Sequence, residues 1–130
     1  MAVARMAWTK REDLVEITDI NQNVRNLHQN IGHNTRAHYS NFPHTPNVCE
    51  VSYHGNRIVS FNKDMTTTFS NDGYITATTS GRLNQFAQAN YPGSGVFIRQ
   101  AVMYYRSPKG INTPLDPSVT VGTDGEVTQQ

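Results

Sequence analysis

Apolar positions in this chain change period part-way along. Leu14, Ile17, Ile20, Val24, Leu27 and Ile31 recur at spacings of three and four, the stripe of an amphipathic helix. Thr9-Lys10-Arg11-Glu12 opens that stripe in the form of a capping box, and Gly32 is a natural stop, so a helix is predicted over 9–32. The stripe is narrow and its opposite face is Asn, Gln and Arg. Such a helix either lies across the open face of a sheet or forms a short self-association seam.

From residue 51 the period becomes two. Val51 and Tyr53 precede His54-Gly55-Asn56, and Ile58-Val59-Ser60-Phe61 follow, the pattern of a hairpin about a glycine turn. Thr66-Thr67-Thr68-Phe69 favours a strand, Asn71-Asp72-Gly73 tolerates positive φ, and Tyr74-Ile75-Thr76 is predicted to resume extended structure. Thr78-Thr79-Ser80 then offers hydroxyls to cap a short helix carrying Leu83, Phe86 and Ala87, which ends before Pro92-Gly93. Val96 to Gln100 and Val102 to Arg106 read as a last hairpin about Gln100-Ala101, or as one long bulged strand. The expected fold class is α+β: a mostly antiparallel sheet of about five strands, an N-terminal amphipathic helix and a short helix before the last hairpin. The corresponding divisions are an arm at 1–8, the helix at 9–32, a connector at 33–47, the core domain at 48–106 and an extended or disordered tail at 107–130. The tail is predicted so because Pro108, Pro114 and Pro117 interrupt regular structure.

Composition narrows the class. At 130 residues, 36% apolar and with mean hydropathy −0.58, the chain has one modest core. The single Cys49 excludes an internal disulfide and suits a reducing compartment. No apolar run approaches the roughly 18 residues of a membrane span, and no signal-peptide core is present, so a soluble, unprocessed protein is expected. Net charge is +1, but residues 51–106 carry five basic groups (Arg57, Lys63, Arg82, Arg99, Arg106) against two acidic ones (Asp64, Asp72), a local +3. That favours an anionic partner weakly.

The stretch Tyr53-His54-Gly55, Ile58-Val59, Gly73-Tyr74, Thr76, Thr78-Thr79, Arg82, Asn84 and Phe86, with Val96-Phe97-Ile98 and Met103-Tyr104-Tyr105 after it, resembles a small bacteriophage-encoded domain of unassigned function. Members of that family carry a Tyr-x-Gly-Thr-x-Ile-Val strand, then Gly-Gly-Trp-Arg-Thr-Val-Thr-Thr-Lys-x-Arg-x-Asn, then two strands ending in an aromatic residue. The resemblance covers about residues 51 to 106. Asp72-Gly73-Tyr74-Ile75 replaces the Gly-Gly-Trp-Arg, and Ser80-Gly81 stand near the usual Lys, so two cationic groups of the pattern are missing. The resemblance implies a phage protein, in the host cytoplasm or the virion.

Catalytic signatures are absent: no nucleophile elbow, Walker loop, dinucleotide fingerprint or His-Glu-x-x-His occurs, so no enzyme and no cofactor are expected. His28, His33, His38 and His44 with Cys49 match no usual metal-ligand spacing, and no metal is expected. Binding is the better class. Thr76, Thr78, Thr79, Ser80 and Arg82 are expected to form an anion pocket at a strand-to-helix corner, with Arg57 as a second cation and Tyr53 or Tyr74 (or Tyr105) stacking on a base. The expected partner is nucleic acid or a nucleotide. The blander account is that the threonines are strand residues, one hydroxyl is a cap, and Arg82 covers the sheet edge. The competing function is a structural or inhibitory protein-interaction module, a virion component or host-protein binder, using the helix, Trp8 and the C-terminal arm; homo-oligomers fit that reading too.

Overall fold

The chain is described by a computed structural model, which covers residues 10–12, 14, 29–32, 34–39 and 47–129. Its elements are β1 (Gln29–Gly32), β2 (Thr35–Tyr39), β3 (Asn47–Tyr53), β4 (Asn56–Asn62), β5 (Thr67–Ser70), α1 (Ala77–Asn90), β6 (Gly95–Arg99), β7 (Val102–Arg106), β8 (Asn112–Pro114), β9 (Ser118–Val121) and β10 (Val127–Gln129). Two antiparallel sheets result, a seven-stranded one ordered β1-β2-β3-β4-β5-β9-β10 and a three-stranded one ordered β6-β7-β8.

Side-chain alternation explains why the large sheet holds its register. Ala37, Val51, Val59, Phe69 and Val119 pair in turn across β2, β3, β4, β5 and β9, and all are buried. A slip of one residue in any strand would carry its apolar set to the polar side. The neighbouring row, Glu50, Ser60, Thr68 and Thr120, faces the other way. On the buried side lie Leu83, Phe86 and Ala87 of α1, with Tyr105 stacked on Phe69 at 5.5 Å and Tyr91 edge-on to Phe69 at 6.3 Å. Two buried hydroxyls are satisfied there: Tyr91 shares a hydrogen bond with Thr67 at 2.7 Å, and Tyr105 donates to the Gly125 carbonyl at 2.6 Å.

The predicted α+β class with about five strands is corrected to a mostly β architecture. Its three sources are specific. Residues 29–32, assigned to the end of the N-terminal helix, form β1; Leu14 is buried and its N–H bonds the Lys10 carbonyl in a helical turn, while the rest of that helix and the arm with Trp8 lie outside the described residues. The expected connector contains β2, whose buried side chains among the described residues, Thr35 and Ala37, are too small to read as a strand. The expected tail contributes β8, β9 and β10, and Leu115, Val119 and Val121 bury in the core. Proline did not prevent this: Pro114 ends β8, an edge strand, where no ladder donor is lost.

Candidate functional site

The corner before α1 is built by two turns. His54 (φ 52) and Gly55 (φ 80) reverse the chain between β3 and β4. After β5, the Asn71 side chain is buried, donates to the Leu115 carbonyl at 3.0 Å and accepts the Gly73 N–H at 2.8 Å. Asp72 (φ 51) and Gly73 (φ 84) then turn the backbone, and the Tyr74 N–H bonds the Asn71 carbonyl. This throws Tyr74 and Ile75 outward, 53% and 47% exposed. The expected strand at Tyr74-Ile75-Thr76 is corrected: these residues lead into the helix, and Thr76, in extended backbone, is its N-cap. The Thr76 hydroxyl accepts the Thr79 N–H at 3.2 Å and donates to the Thr79 hydroxyl at 2.9 Å. The cap thus stands ahead of the three hydroxyls predicted for it, and the first turn of α1 carries no acidic residue.

Between the two turns lies a cleft of about 390 Å3. Tyr53, His54 and Tyr74 supply rings, Ile58 an apolar floor, and Asn56, Asn71, Thr76, Thr78 and Thr79 polar groups. The Tyr53 and His54 rings meet edge-on, with centroids 4.3 Å apart. None of these lining residues is a carboxylate. Arg82 stands behind the aromatic wall, 2% exposed, its guanidinium 5.7 Å from the centre of the Tyr53 ring. The open N-terminus of α1 adds partial positive charge on the same side.

Of the predicted site residues the structure gathers Tyr53, Tyr74, Thr78 and Thr79 around one cleft. Ser80 is buried and its hydroxyl donates to the Val96 carbonyl of β6 at 3.4 Å, away from that group. Arg82 lies in the second turn of α1, outside the cleft lining, with its guanidinium over the Tyr53 ring. Arg57 bonds Glu50 at 2.7 Å and borders a separate depression of about 550 Å3 with Ser60, Thr68 and Ser118. Tyr105 is wholly buried. Thr76 of the expected cluster lines the same cleft, and His54, Asn56 and Asn71, not expected there, join it from two turns that only the fold brings face to face.

Among the described residues no group of three or more His, Cys, Asp or Glu stands together, and no helix is long and apolar enough to cross a membrane. His28, His33 and His44 lie outside the described residues, and Cys49 is buried within β3. No curated protein and no solved structure matches the chain. A family model does: residues 15–121 match the one described as Kyanoviridae Gp96 protein. That span takes in the cleft, α1 and both sheets except β10, so the chain belongs to the Kyanoviridae Gp96 protein family and is a phage accessory or structural protein.

Proposed function

We propose that this phage protein binds a nucleotide unit, free or at an unpaired position of a nucleic acid, in the cleft between the β3–β4 turn and the start of α1, and that it acts by binding rather than catalysis. The observation that carries the reading is the cleft's make-up: ring faces, hydroxyl and amide groups and a helix N-terminus converge on about 390 Å3, with no carboxylate among the lining residues. That volume falls in the range of small-ligand sites. A base fits against Tyr74 and His54, where stacking tolerates any base, and a phosphate fits against the Thr78 hydroxyl and the first N–H groups of α1. Arg57, engaged by Glu50 outside the cleft, has no part in this arrangement.

The competing module that clasps a protein partner needs a free C-terminal arm, whereas residues 112–114, 118–121 and 127–129 are strands of the two sheets. The cleft reading is tested by titrating AMP and dTMP into the protein at low salt. Thr78→Asp adds a carboxylate in the first turn of α1, which stabilises the helix by about 0.3–1 kcal/mol while repelling an anion. The expected result is a slightly raised Tm together with at least tenfold weaker binding. Tyr74→Ala, at an exposed position, should weaken binding by about 1–3 kcal/mol. Failure of both nucleotides to bind the wild type at millimolar concentration, or indifference of binding to Thr78→Asp, would contradict the reading.

A further inference from the structure

The outward face of the three-stranded sheet carries chemistry that the cleft does not use. Val96, Met103, Tyr105 and Thr113 point inward and are buried. The alternate positions lie on the opposite face, where the register sets Phe97 opposite Tyr104, both half-buried, and Tyr104 opposite the exposed Pro114. The Phe97 and Tyr104 rings stack with centroids 5.5 Å apart and planes at 22°. Arg106 lies over the Phe97 ring at 5.1 Å and its Nε donates to the Asn112 side chain at 2.9 Å. Flat groups therefore run in a line from Arg106 through Phe97 and Tyr104 to Pro114. Arg99, exposed, pairs across the hairpin with Val102, itself 37% exposed.

The core is filled from the other side of these strands, by Val96, Met103 and Tyr105. The three strands, GVFIR, VMYYR and NTP, contain two arginines and no carboxylate. Aromatic faces on an antiparallel sheet, bordered by guanidinium groups, complement unpaired bases and the phosphates between them. A duplex offers its bases edge-on inside a stack and cannot lie on such a surface with its ring faces. We propose that this face is a stacking platform for single-stranded nucleic acid, with Phe97 and Tyr104 taking bases and Arg99 and Arg106 neutralising phosphates.

This platform shares no residue with the cleft, and the two stand or fall separately. The test is anisotropy of a labelled dT12 strand and of a 12-base-pair duplex, with the wild type, Phe97→Leu/Tyr104→Leu and Arg99→Gln/Arg106→Gln. The strand should bind more tightly than the duplex, lose roughly tenfold per ring replaced, and show a log–log salt slope shallower by about 1.4 in the arginine variant, for two phosphate contacts. The arginine pair is at the surface, so its result holds even where the leucine pair weakens the fold. No binding of dT12 at low salt, equal binding of duplex and strand, or full binding by the arginine variant would overturn the platform. If Tyr74→Ala alone abolishes dT12 binding, the platform fails and the cleft stands. If dT12 binds through the platform while AMP does not bind at all, the cleft fails and the platform stands.

Discussion

Tyr105 joins the two halves of the core at a single side chain. Its ring stacks on Phe69 of the large sheet while its own strand belongs to the small one, and its hydroxyl donates to the Gly125 carbonyl in the turn before β10. Gly125 sits at φ 82, and a Cβ there would meet the Pro108 ring at 2.9 Å, so the turn can approach Tyr105 only as glycine. Burial pushes the Tyr105 phenol far above its ordinary value, and burial raises that of Tyr91 as well. Both groups are neutral in the folded state, whereas the unfolded chain loses these protons near pH 10. Their contribution to stability is therefore complete below pH 10 and is lost as pH rises above it. Urea unfolding followed across pH 8 to 11.5 should show stability falling above pH 10. Tyr105→Phe should show a shallower fall and a loss of about 1–3 kcal/mol at pH 8, from a buried carbonyl left without its donor. A Tyr105→Phe protein as stable as the wild type at pH 8 would contradict this account of the junction.

At the scale of elements, the strand that matters most is β9. Although about fifty residues separate them in sequence, β9 pairs with β5 over Thr67↔Val121 to Ser70↔Ser118, and it is the rail on which β10 closes. Deleting residues 107–130 should leave no cooperative thermal transition, because it strips Leu115, Val119 and Val121 from the core and bares the edge of β5. A well-folded 1–106 fragment would refute that. The same strand shows what could be read from sequence and what could not. Turns at His54-Gly55 and Asn71-Asp72-Gly73 were legible because Gly, Asn and Asp tolerate positive φ, the Gln100-Ala101 corner only from the apolar runs on either side of it, and the helix stop before Pro92 because proline cannot continue a helix. Ser118-Val119-Thr120-Val121 is only four residues between prolines and glycines, and nothing local says that its partner is β5. Ile31 completes a helical stripe by spacing, yet its residue belongs to β1, where pairing with β2 overrides the period. Within the site, adjacency of Thr78 and Thr79 was legible, but the true cap, Thr76, was assigned to a strand because threonine and its aromatic and β-branched neighbours favour one.

Over the whole molecule, charge is placed rather than accumulated. The four arginines of residues 51–106 take three arrangements: Arg82 in the interior behind Tyr53, Arg57 neutralised by Glu50 on the polar side of the large sheet, and Arg99 with Arg106 on the small sheet. Only the first lies near the cleft. The nucleotide capture proposed there would rest on oriented N–H groups, hydroxyls and rings, so its salt dependence should be shallow. The measurement that tests this most directly is amide shift mapping of the isotope-labelled protein during titration with AMP. The account predicts saturable shifts concentrated at Tyr74, Ala77, Thr78 and the His54-Gly55 turn, with Arg57 and Ser60 unmoved. Shifts confined to the Arg57, Ser60 and Thr68 depression, or no saturable shift anywhere, would contradict it.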